Sequence, residues 1–153
     1  MKYMDTRAFL IDPIKKQVFQ GQYSYLGDPS EIAKLLRAKY IESVDLDDKH
    51  TLWVDEEGMF KDVVWRWSIT SEYHPEGTQL VNFGLVTGID DEGETVPPTM
   101  SFEQLDDSLT FTQEPLINKD VLKYRQIKNL CDSYSFDNCV QNTQVQKFYS
   151  YLY

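Results

Sequence analysis

Acidic side chains stand close together at three places where they could hold a cation or exchange a proton. One is Asp55-Glu56-Glu57, inside TLWVDEEGMFKDVVWRWSIT (51–70), the stretch that also carries all three tryptophans. Neighbouring carboxylates can bind a hard cation or form an acid–base pair. A general acid, however, needs a pKa that burial has raised, and three adjacent charges on a turn give the opposite environment. We therefore interpret this group as the solvated tip of a hairpin.

The second acidic group, Asp90-Asp91-Glu92-Gly93-Glu94, has a superficial likeness to a calcium-binding loop. An EF-hand loop needs acids at its first, third and fifth positions, glycine at the sixth and glutamate at the twelfth. With Gly93 as the sixth residue, Gly88 takes the first position and Thr99 the twelfth, so the pattern fails. Weak divalent-cation binding by these acids together with the third group, Asp45, Asp47 and Asp48, stays an alternative.

Patterns typical of nucleophilic or cofactor-dependent enzymes are missing from the sequence. His50 and His74 lie outside metal-ligand spacings such as HExxH, and Cys131 and Cys139 lack the histidine pair of a common zinc site. The chain has no GxSxG and no phosphate-binding glycine loop. We therefore expect no cofactor, metal or catalytic residue and favour a non-enzymatic protein, with an enzyme as the weaker class.

Negative charge is concentrated in the middle of the chain. The 153 residues carry a net charge of −10. Residues 1–40 hold seven Lys/Arg and four Asp/Glu, residues 41–114 hold three and eighteen, and residues 115–153 hold five and three, so the middle segment has a net charge of −15. Such a surface disfavours phosphates and hence nucleic acid, but it attracts a basic protein. Solubility alone is the other interpretation.

We predict that the acidic residues contact a basic partner protein, such as a nucleic-acid-binding protein or a toxin. The aromatic run FYSYLY (148–153) is a second candidate surface, because exposed aromatics are unusual at a chain end. It either packs on its own domain or contacts another chain, including a second copy. The predicted contact residues are Asp45, Asp47, Asp48, Asp55, Glu56, Glu57, Asp90, Asp91, Glu92, Glu94, Tyr149, Tyr151 and Tyr153.

Composition is that of a globular protein. A hydrophobic content of 41% and an aromatic content of 14% argue against disorder. The start, MKYMDTRAFLIDPIKK, lacks the apolar run of a secretory signal, and no stretch has the ~18 apolar residues of a membrane helix. We expect a cytoplasmic protein in which Cys131 and Cys139 are free thiols, with a disulfide as the alternative.

The elements that position these residues are predicted to be mainly strands. Apolar–polar alternation between turn-forming residues predicts strands at 6–12, 17–23, 41–47, 50–55, 63–69, 79–89 and 109–112. In the 63–69 strand, Val63, Trp65, Trp67 and Ile69 should share one face, with Trp53 beside them on a partner strand.

Glycines and capping residues mark the expected turns and helices. Gly58 is expected to take positive φ, and Gly84 and Gly88 indicate a bulge or a close backbone approach. Asp28 and Pro29 should begin a helix, and Ser101 should cap a helical turn. The buried stripe of the first helix is predicted to be Ile32, Leu35, Leu36 and Tyr40, and that of a C-terminal helix Val121, Tyr124, Ile127 and Cys131.

These patterns together predict an α+β fold with a mainly antiparallel sheet and one packed helix. We expect an acidic domain over residues 1–114 and a helical C-terminal extension, 115–153, packed on it.

Three stretches together resemble a known family: AFLIDP (8–13), EIAKLLRAKYIESVDL (31–46), and LWVDEEGMFK (52–61) followed by GLVTGIDDEGE (84–94). Over residues 6–95 the chain is similar to a small domain of unknown function found in phages, plasmids and bacteria, with an N/D-E-E-G hairpin. It has WRWSIT (65–70) where that family has an asparagine-rich stretch. The resemblance implies a phage or mobile-element setting and no catalytic residues.

The preferred hypothesis is therefore a non-enzymatic acidic binding protein, either an inhibitor or an immunity-like protein, whose negative face occupies a partner's basic surface. A metal-dependent enzyme or ligand-binding domain that uses the Asp/Glu groups is one alternative. A structural or self-assembling phage component that uses the tyrosine-rich tail is the other.

Overall fold

The computed structural model of the protein describes residues 7–23, 26–112 and 114–117. By its contacts the chain divides into two units, and the described residues other than 60–63 and 117 belong to the first. The described residues form mostly antiparallel sheet with two helices, which confirms the predicted α+β class. The predicted C-terminal helix, both cysteines and the tyrosine-rich tail lie outside the described residues, so the 115–153 extension stays a prediction.

Eleven strands, two α-helices and one 3₁₀ turn make up the described chain. They are β1 (Arg7–Asp12), β2 (Gln17–Gln22), α1 (Pro29–Leu36), β3 (Ile41–Asp47), β4 (His50–Asp55), the 3₁₀ turn Gly58–Phe60, β5 (Val63–Val64), β6 (Arg66–Ile69), β7 (Thr78–Val81), β8 (Gly84–Ile89), β9 (Thr95–Val96), α2 (Phe102–Ser108), β10 (Leu109–Phe111) and β11 (Leu116–Ile117).

Strand β8 lies at the centre of a six-stranded sheet, in which five strands follow the order β2-β1-β8-β4-β3 and the sixth, β9, also pairs with β8. It pairs antiparallel with β4 along one edge, and with β1 and then β9 along the other. All of its residues from Gly84 to Gly88 are buried. A separate three-stranded sheet has the order β10-β6-β7.

The two faces of the large sheet bury different cores, because successive side chains of a strand point to opposite sides. Helix α1 covers one face, where the core consists of Ala8, Leu26, Ile32, Leu36 and Leu85. The β10-β6-β7 sheet and α2 cover the other face, and its core contains Phe9, Ile11, Val18, Leu46, Leu52, Val54, Trp67, Ile69, Val86 and Leu105. The result is a layered unit with α1 on one side and the small sheet on the other.

Helix α1 begins as predicted and ends earlier than predicted. Asp28 Oδ1 accepts a hydrogen bond from Ser30 N at 2.9 Å, and Pro29 takes the first helical position. Arg37, with φ of 54°, is left-handed and ends the helix. The predicted burial of Tyr40 is therefore wrong: it lies beyond the helix and is 50% exposed.

The predicted 63–69 strand is broken at Trp65 into β5 and β6. Trp67 and Ile69 are buried as expected, whereas Val63 is 39% exposed. The predicted contact of Trp53 with these tryptophans is wrong, because β4 pairs with β3 and β8 rather than with β6. Trp53 packs on the α1 side of the large sheet, where its Nε1 donates to Thr87 Oγ1 at 2.9 Å.

The predicted 79–89 strand is in fact two strands in different sheets, separated at Asn82, which has a φ of 61°. Asn82 is hydrogen-bonded to the neighbouring segment around β5 and β6. Its N donates to Trp65 O at 2.7 Å, its Oδ1 accepts from Trp65 N at 3.0 Å, and its O accepts from Trp67 Nε1 at 2.7 Å. Its Nδ2 also donates to Gly58 O at 3.2 Å. Asn82 thus fixes the point where the chain passes from the small sheet into the large one.

Gly58 and Gly88 are needed for space rather than for a turn conformation. Gly58 does not have a positive φ, so the expectation of a left-handed turn residue there is wrong. A Cβ at this position would lie 2.7 Å from Val81 Cγ2. A Cβ on Gly88 would lie 2.4 Å from Pro97 O, which confirms the predicted close backbone approach. Gly93, with φ of 82°, takes the positive-φ position of the β8–β9 turn.

Neither helix in the described part of the chain combines the length and apolar character that crossing a membrane requires.

Substitutions at Asn82 should separate backbone strain from lost hydrogen bonds. Asn82→Gly removes the two side-chain bonds and should lower the free energy of unfolding by about 1–2 kcal/mol. Asn82→Ala removes the same bonds but, unlike glycine, keeps a Cβ in the left-handed region without the polar side chain that lets asparagine tolerate it, so its cost should be higher by roughly another 1 kcal/mol. Urea unfolding measures both values. Equal costs for the two variants would contradict the left-handed conformation of Asn82.

Candidate functional site

Two acidic turns lie side by side at one end of the large sheet. The β3–β4 turn is closed by Asp47, whose Oδ1 accepts from Lys49 N at 2.8 Å. The β8–β9 turn is closed by Asp90, whose Oδ1 accepts from Glu92 N at 3.0 Å and Glu94 N at 2.8 Å. Ile89 N donates to Lys49 O at 2.9 Å and joins the two turns. The pairing of β4 with β8 therefore brings together acids that are about forty residues apart in sequence.

The loop after β6 adds a third segment to this end. Tyr73 N donates to Leu46 O at 3.1 Å, which places the 71–77 loop against the end of β3. Glu72 and Tyr73 are exposed, and the Tyr73 hydroxyl donates to Asp48 Oδ1. An aromatic ring that is 48% exposed thus stands among carboxylates. The residues of these three segments that define the acidic end are Asp45, Asp47, Asp48, Glu72, Tyr73, Asp90, Asp91, Glu92 and Glu94.

The titration of Tyr73 reflects the negative field at the acidic end. Its pKa is raised to about 12, first by the hydrogen bond to Asp48, then by partial desolvation and by the negative charges of Asp48, Glu72 and Asp45. Each of these effects makes a tyrosinate harder to form. Carboxylates from β3, from its turn and from the 71–77 loop therefore act on one group.

The predicted contact residues Asp55, Glu56 and Glu57 lie at the opposite end of β4. The strand begins at His50, beside the acidic end, and finishes at Asp55. With a rise of about 3.3 Å per residue its ends are roughly 17 Å apart, about twice the ~8 Å screening length at physiological salt. The structure thus divides the acids that the sequence placed on one surface.

Charge at that opposite end is mixed. Asp55 is buried, and its Oδ1 accepts from Glu57 N at 2.9 Å, so it shapes the turn rather than facing solvent. The β1–β2 turn, at the same end of the sheet, carries Lys15 and Lys16. Lys16 Nζ lies 5.5 Å from the centre of the Trp65 ring. Glu56 and Glu57 therefore share their end of the sheet with cations.

His50 is a buried clasp behind the acidic end. Its Nδ1 lies 2.9 and 3.0 Å from the two carboxylate oxygens of Asp47. On its other side, Nε2 lies 3.0 Å from Thr99 N and 3.1 Å from Met100 N. Backbone N–H groups can only donate, so Nε2 must be the acceptor and Nδ1 carries the proton. The imidazole thereby ties the β3–β4 turn to the segment that leads into α2.

This Asp–His arrangement is unsuited to base catalysis. Thr99 Oγ1 lies 3.2 Å from Nε2, in the position that a nucleophile would take. The single in-plane lone pair of Nε2 already faces two backbone N–H donors and cannot also accept the hydroxyl proton of Thr99. We therefore assign His50 a structural role. Among the described residues, no group of three or more His, Cys, Asp and Glu side chains is placed to hold a metal ion.

A cavity of about 410 Å³ opens beside this clasp. Asp47 and His50 line one part of it, the 69–72 segment another, and α2 with the two residues Thr99 and Met100 before it a third. Its walls combine apolar side chains with carboxylates.

Sequence reasoning found most of the acidic end but missed Glu72, Tyr73 and the role of His50. The sequence did contain a signal for the clasp: in Asp47-Asp48-Lys49-His50 a carboxylate and a histidine stand three residues apart across a tight turn. Glu72 and Tyr73 had no such signal in the sequence. They reach the acidic end only because the 71–77 loop packs against the end of β3. The predicted Tyr149, Tyr151 and Tyr153 lie outside the described residues.

Replacing His50 should weaken the fold by leaving the Thr99 and Met100 N–H groups without their acceptor. We expect His50→Ala to lower the free energy of unfolding by about 2–3 kcal/mol, against about 0.5 kcal/mol or less for His74→Ala in the 71–77 loop. Nitrogen NMR of wild-type His50 should show a protonated Nδ1 and a bare Nε2. A protonated Nε2, or equal stability of both variants, would refute the clasp.

The Tyr73–Asp48 contact should make stability depend on pH in the alkaline range. Because the folded pKa lies above the unfolded value near 10, this contribution is fully present below pH 10 and is lost as pH rises toward 12. Asp48→Asn should return the pKa of Tyr73 toward 10, as followed by NMR titration of its ring. Asp91→Asn serves as the control, and a Tyr73 pKa that Asp48→Asn leaves unchanged would rule out the contact.

Comparisons of the chain with protein-family models, with curated proteins and with solved structures find no match. The resemblance to the phage and plasmid family stays a prediction.

Proposed function

We propose that this chain is a non-enzymatic binding protein whose acidic end docks onto a basic surface of a partner protein. The observation that supports the proposal most is the convergence at one sheet end of carboxylates from the β3–β4 turn, the β8–β9 turn and the 71–77 loop. Gathering like charges destabilises the folded chain. A cationic partner relieves that repulsion on binding.

The makeup of the acidic end suits a protein partner. Clustered charge of one sign steers an oppositely charged partner and selects against wrong ones. Tyr73 adds an exposed amphipathic ring beside Asp48, and tyrosine is typical of the residues that dominate binding energy at interfaces. Phosphates would be repelled, so nucleic acid is not the proposed ligand.

The partner class that fits is a basic protein whose working surface is cationic, such as a nucleic-acid-handling protein or a toxin. Carboxylates on a rigid sheet end can occupy the groove that phosphates otherwise fill, which would make the chain inhibitory or immunity-like. This role accords with the phage or mobile-element setting that the sequence resemblance implies, and it places the chain in the cytoplasm with its partner.

A labelled oligolysine peptide tests which end of the large sheet binds a cationic partner. Its affinity for the wild-type chain should fall steeply as NaCl rises from about 0.03 to about 0.3 M. The variant Asp91→Asn/Glu92→Gln/Glu94→Gln should bind roughly tenfold more weakly at low salt, because it removes three exposed charges from the β8–β9 turn.

The matched control is Glu42→Gln/Glu56→Gln/Glu57→Gln, which changes net charge equally but near the opposite end of the sheet, again at exposed positions. It should retain most of the affinity. Equal loss in both variants would mean that only net charge matters, and salt-independent binding would remove the electrostatic basis of the proposal. Affinity capture with the wild-type and acidic-end variants as baits then identifies the partner lost with the charges.

A further inference from the structure

The cavity beside the His50 clasp has two kinds of wall. One kind is apolar and the other is anionic or hydrogen-bond accepting. Its volume of about 410 Å³ falls within the ordinary range for ligand sites. The lining residues that matter are Leu46, Ile69 and Met100 on the apolar side, and Asp47, Ser71 and Glu72 on the polar side.

The polar wall has unused capacity to accept hydrogen bonds. Ser71 Oγ is buried and has no hydrogen-bond partner among the described residues. Asp47 Oδ1 already faces two donors, Lys49 N and His50 Nδ1, but Oδ2 faces His50 Nδ1 alone and keeps a further lone pair. Glu72 is exposed at the rim. Buried polar atoms are normally hydrogen-bonded, so the unpaired Ser71 hydroxyl, which can accept as well as donate, indicates a polar contact that the described residues do not supply.

His50 adds no competing donor to the cavity. Its Nδ1–H is directed to Asp47, and its Nε2 accepts from Thr99 N and Met100 N. The cavity therefore presents negative charge and acceptors without a cation among its lining residues. A neutral or anionic ligand would leave the carboxylates uncompensated, whereas a cationic donor satisfies both carboxylates and the hydroxyl.

We propose that this cavity binds an ammonium or guanidinium group on an apolar stem, supplied by a lysine or arginine side chain of the basic partner. The charged head lies against Asp47, Ser71 and Glu72, and the methylene stem lies against Leu46, Ile69 and Met100. This assignment rests on the proposed function, which it deepens. The cavity adjoins the acidic end through Asp47 and Glu72, so one partner surface reaches both.

NMR titration of the ¹⁵N-labelled full chain with N-acetyl-Gly-Arg-Gly-amide tests the assignment. We expect the amide signals of Asp47, Ile69, Ser71 and Glu72 to shift. The same peptide with citrulline in place of arginine has a stem of the same length and no charge, and it should leave these signals unshifted. Shifts of equal size with citrulline, or no shifts with arginine, would overturn the proposal.

Variants supply a second readout. Glu72→Gln should lower the affinity for the arginine peptide by about tenfold, the usual effect of losing one charge-assisted contact. Glu57→Gln, at the other end of the sheet, is the matched control and should leave affinity unchanged. Equal affinities of the two variants for the peptide would count against the cavity as the binding site.

Two further measurements are decisive. One distinguishes a partner's side chain from a free guanidinium compound as the ligand, and the other distinguishes the cavity proposal from the proposed docking function. Propylguanidine, a free guanidinium compound with one positive charge, should bind no more tightly than the arginine peptide; tighter binding of propylguanidine would overturn the assignment to a partner side chain. Salt-dependent oligolysine binding without cavity shifts would overturn this inference alone. Cavity shifts with the arginine peptide, but no oligolysine binding at the acidic end, would support the cavity and overturn the proposed function.

Discussion

The burial of β8 between β1 and β4 is the constraint on which the rest of the structure depends. Residues Gly84–Gly88 are buried, and the strand pairs with three others, so its register leaves no freedom to slip. That register determines where the turns lie. It sets Asp90–Glu94 beside Asp47–Lys49 and leaves Glu56 and Glu57 at the far end of β4. The charge distribution is thus a consequence of core packing.

The same strand also positions the clasp and the cavity. Gly88 pairs with His50 in β4 and with Val96 in β9, and it lets Pro97 O approach where a side chain would collide. The chain then passes directly to Thr99 and Met100, whose N–H groups reach His50. A histidine that accepts two backbone hydrogen bonds holds a wall of the cavity rather than reacting within it. The rigid backbone thereby holds the carboxylates close together despite their mutual repulsion.

The sequence predicted features that depend on neighbouring residues, such as helix caps and strand bounds. It did not predict which strands pair with one another. Asp28-Pro29 and the Ser101–Gln104 capping box mark helix starts through contacts within a few residues, and both formed as expected. Strand-forming residues between turn-forming ones likewise predicted β3 and β4 with correct bounds. Alternation cannot say which sheet a strand joins, so Trp53 and Trp67 were assigned to one face although they lie on opposite sides of the large sheet. A run of apolar residues also concealed the left-handed Asn82, which divides β7 from β8.

The claim that β8 gathers the carboxylates at one end is tested most directly by paramagnetic relaxation from a nitroxide at Glu92→Cys, with Cys131 and Cys139 replaced by serine. The account predicts strong broadening of the amide signals of Asp48, Lys49 and Tyr73, while those of Glu56 and Glu57 stay sharp. Broadening of Glu56 and Glu57, with Asp48 and Tyr73 unaffected, would contradict it.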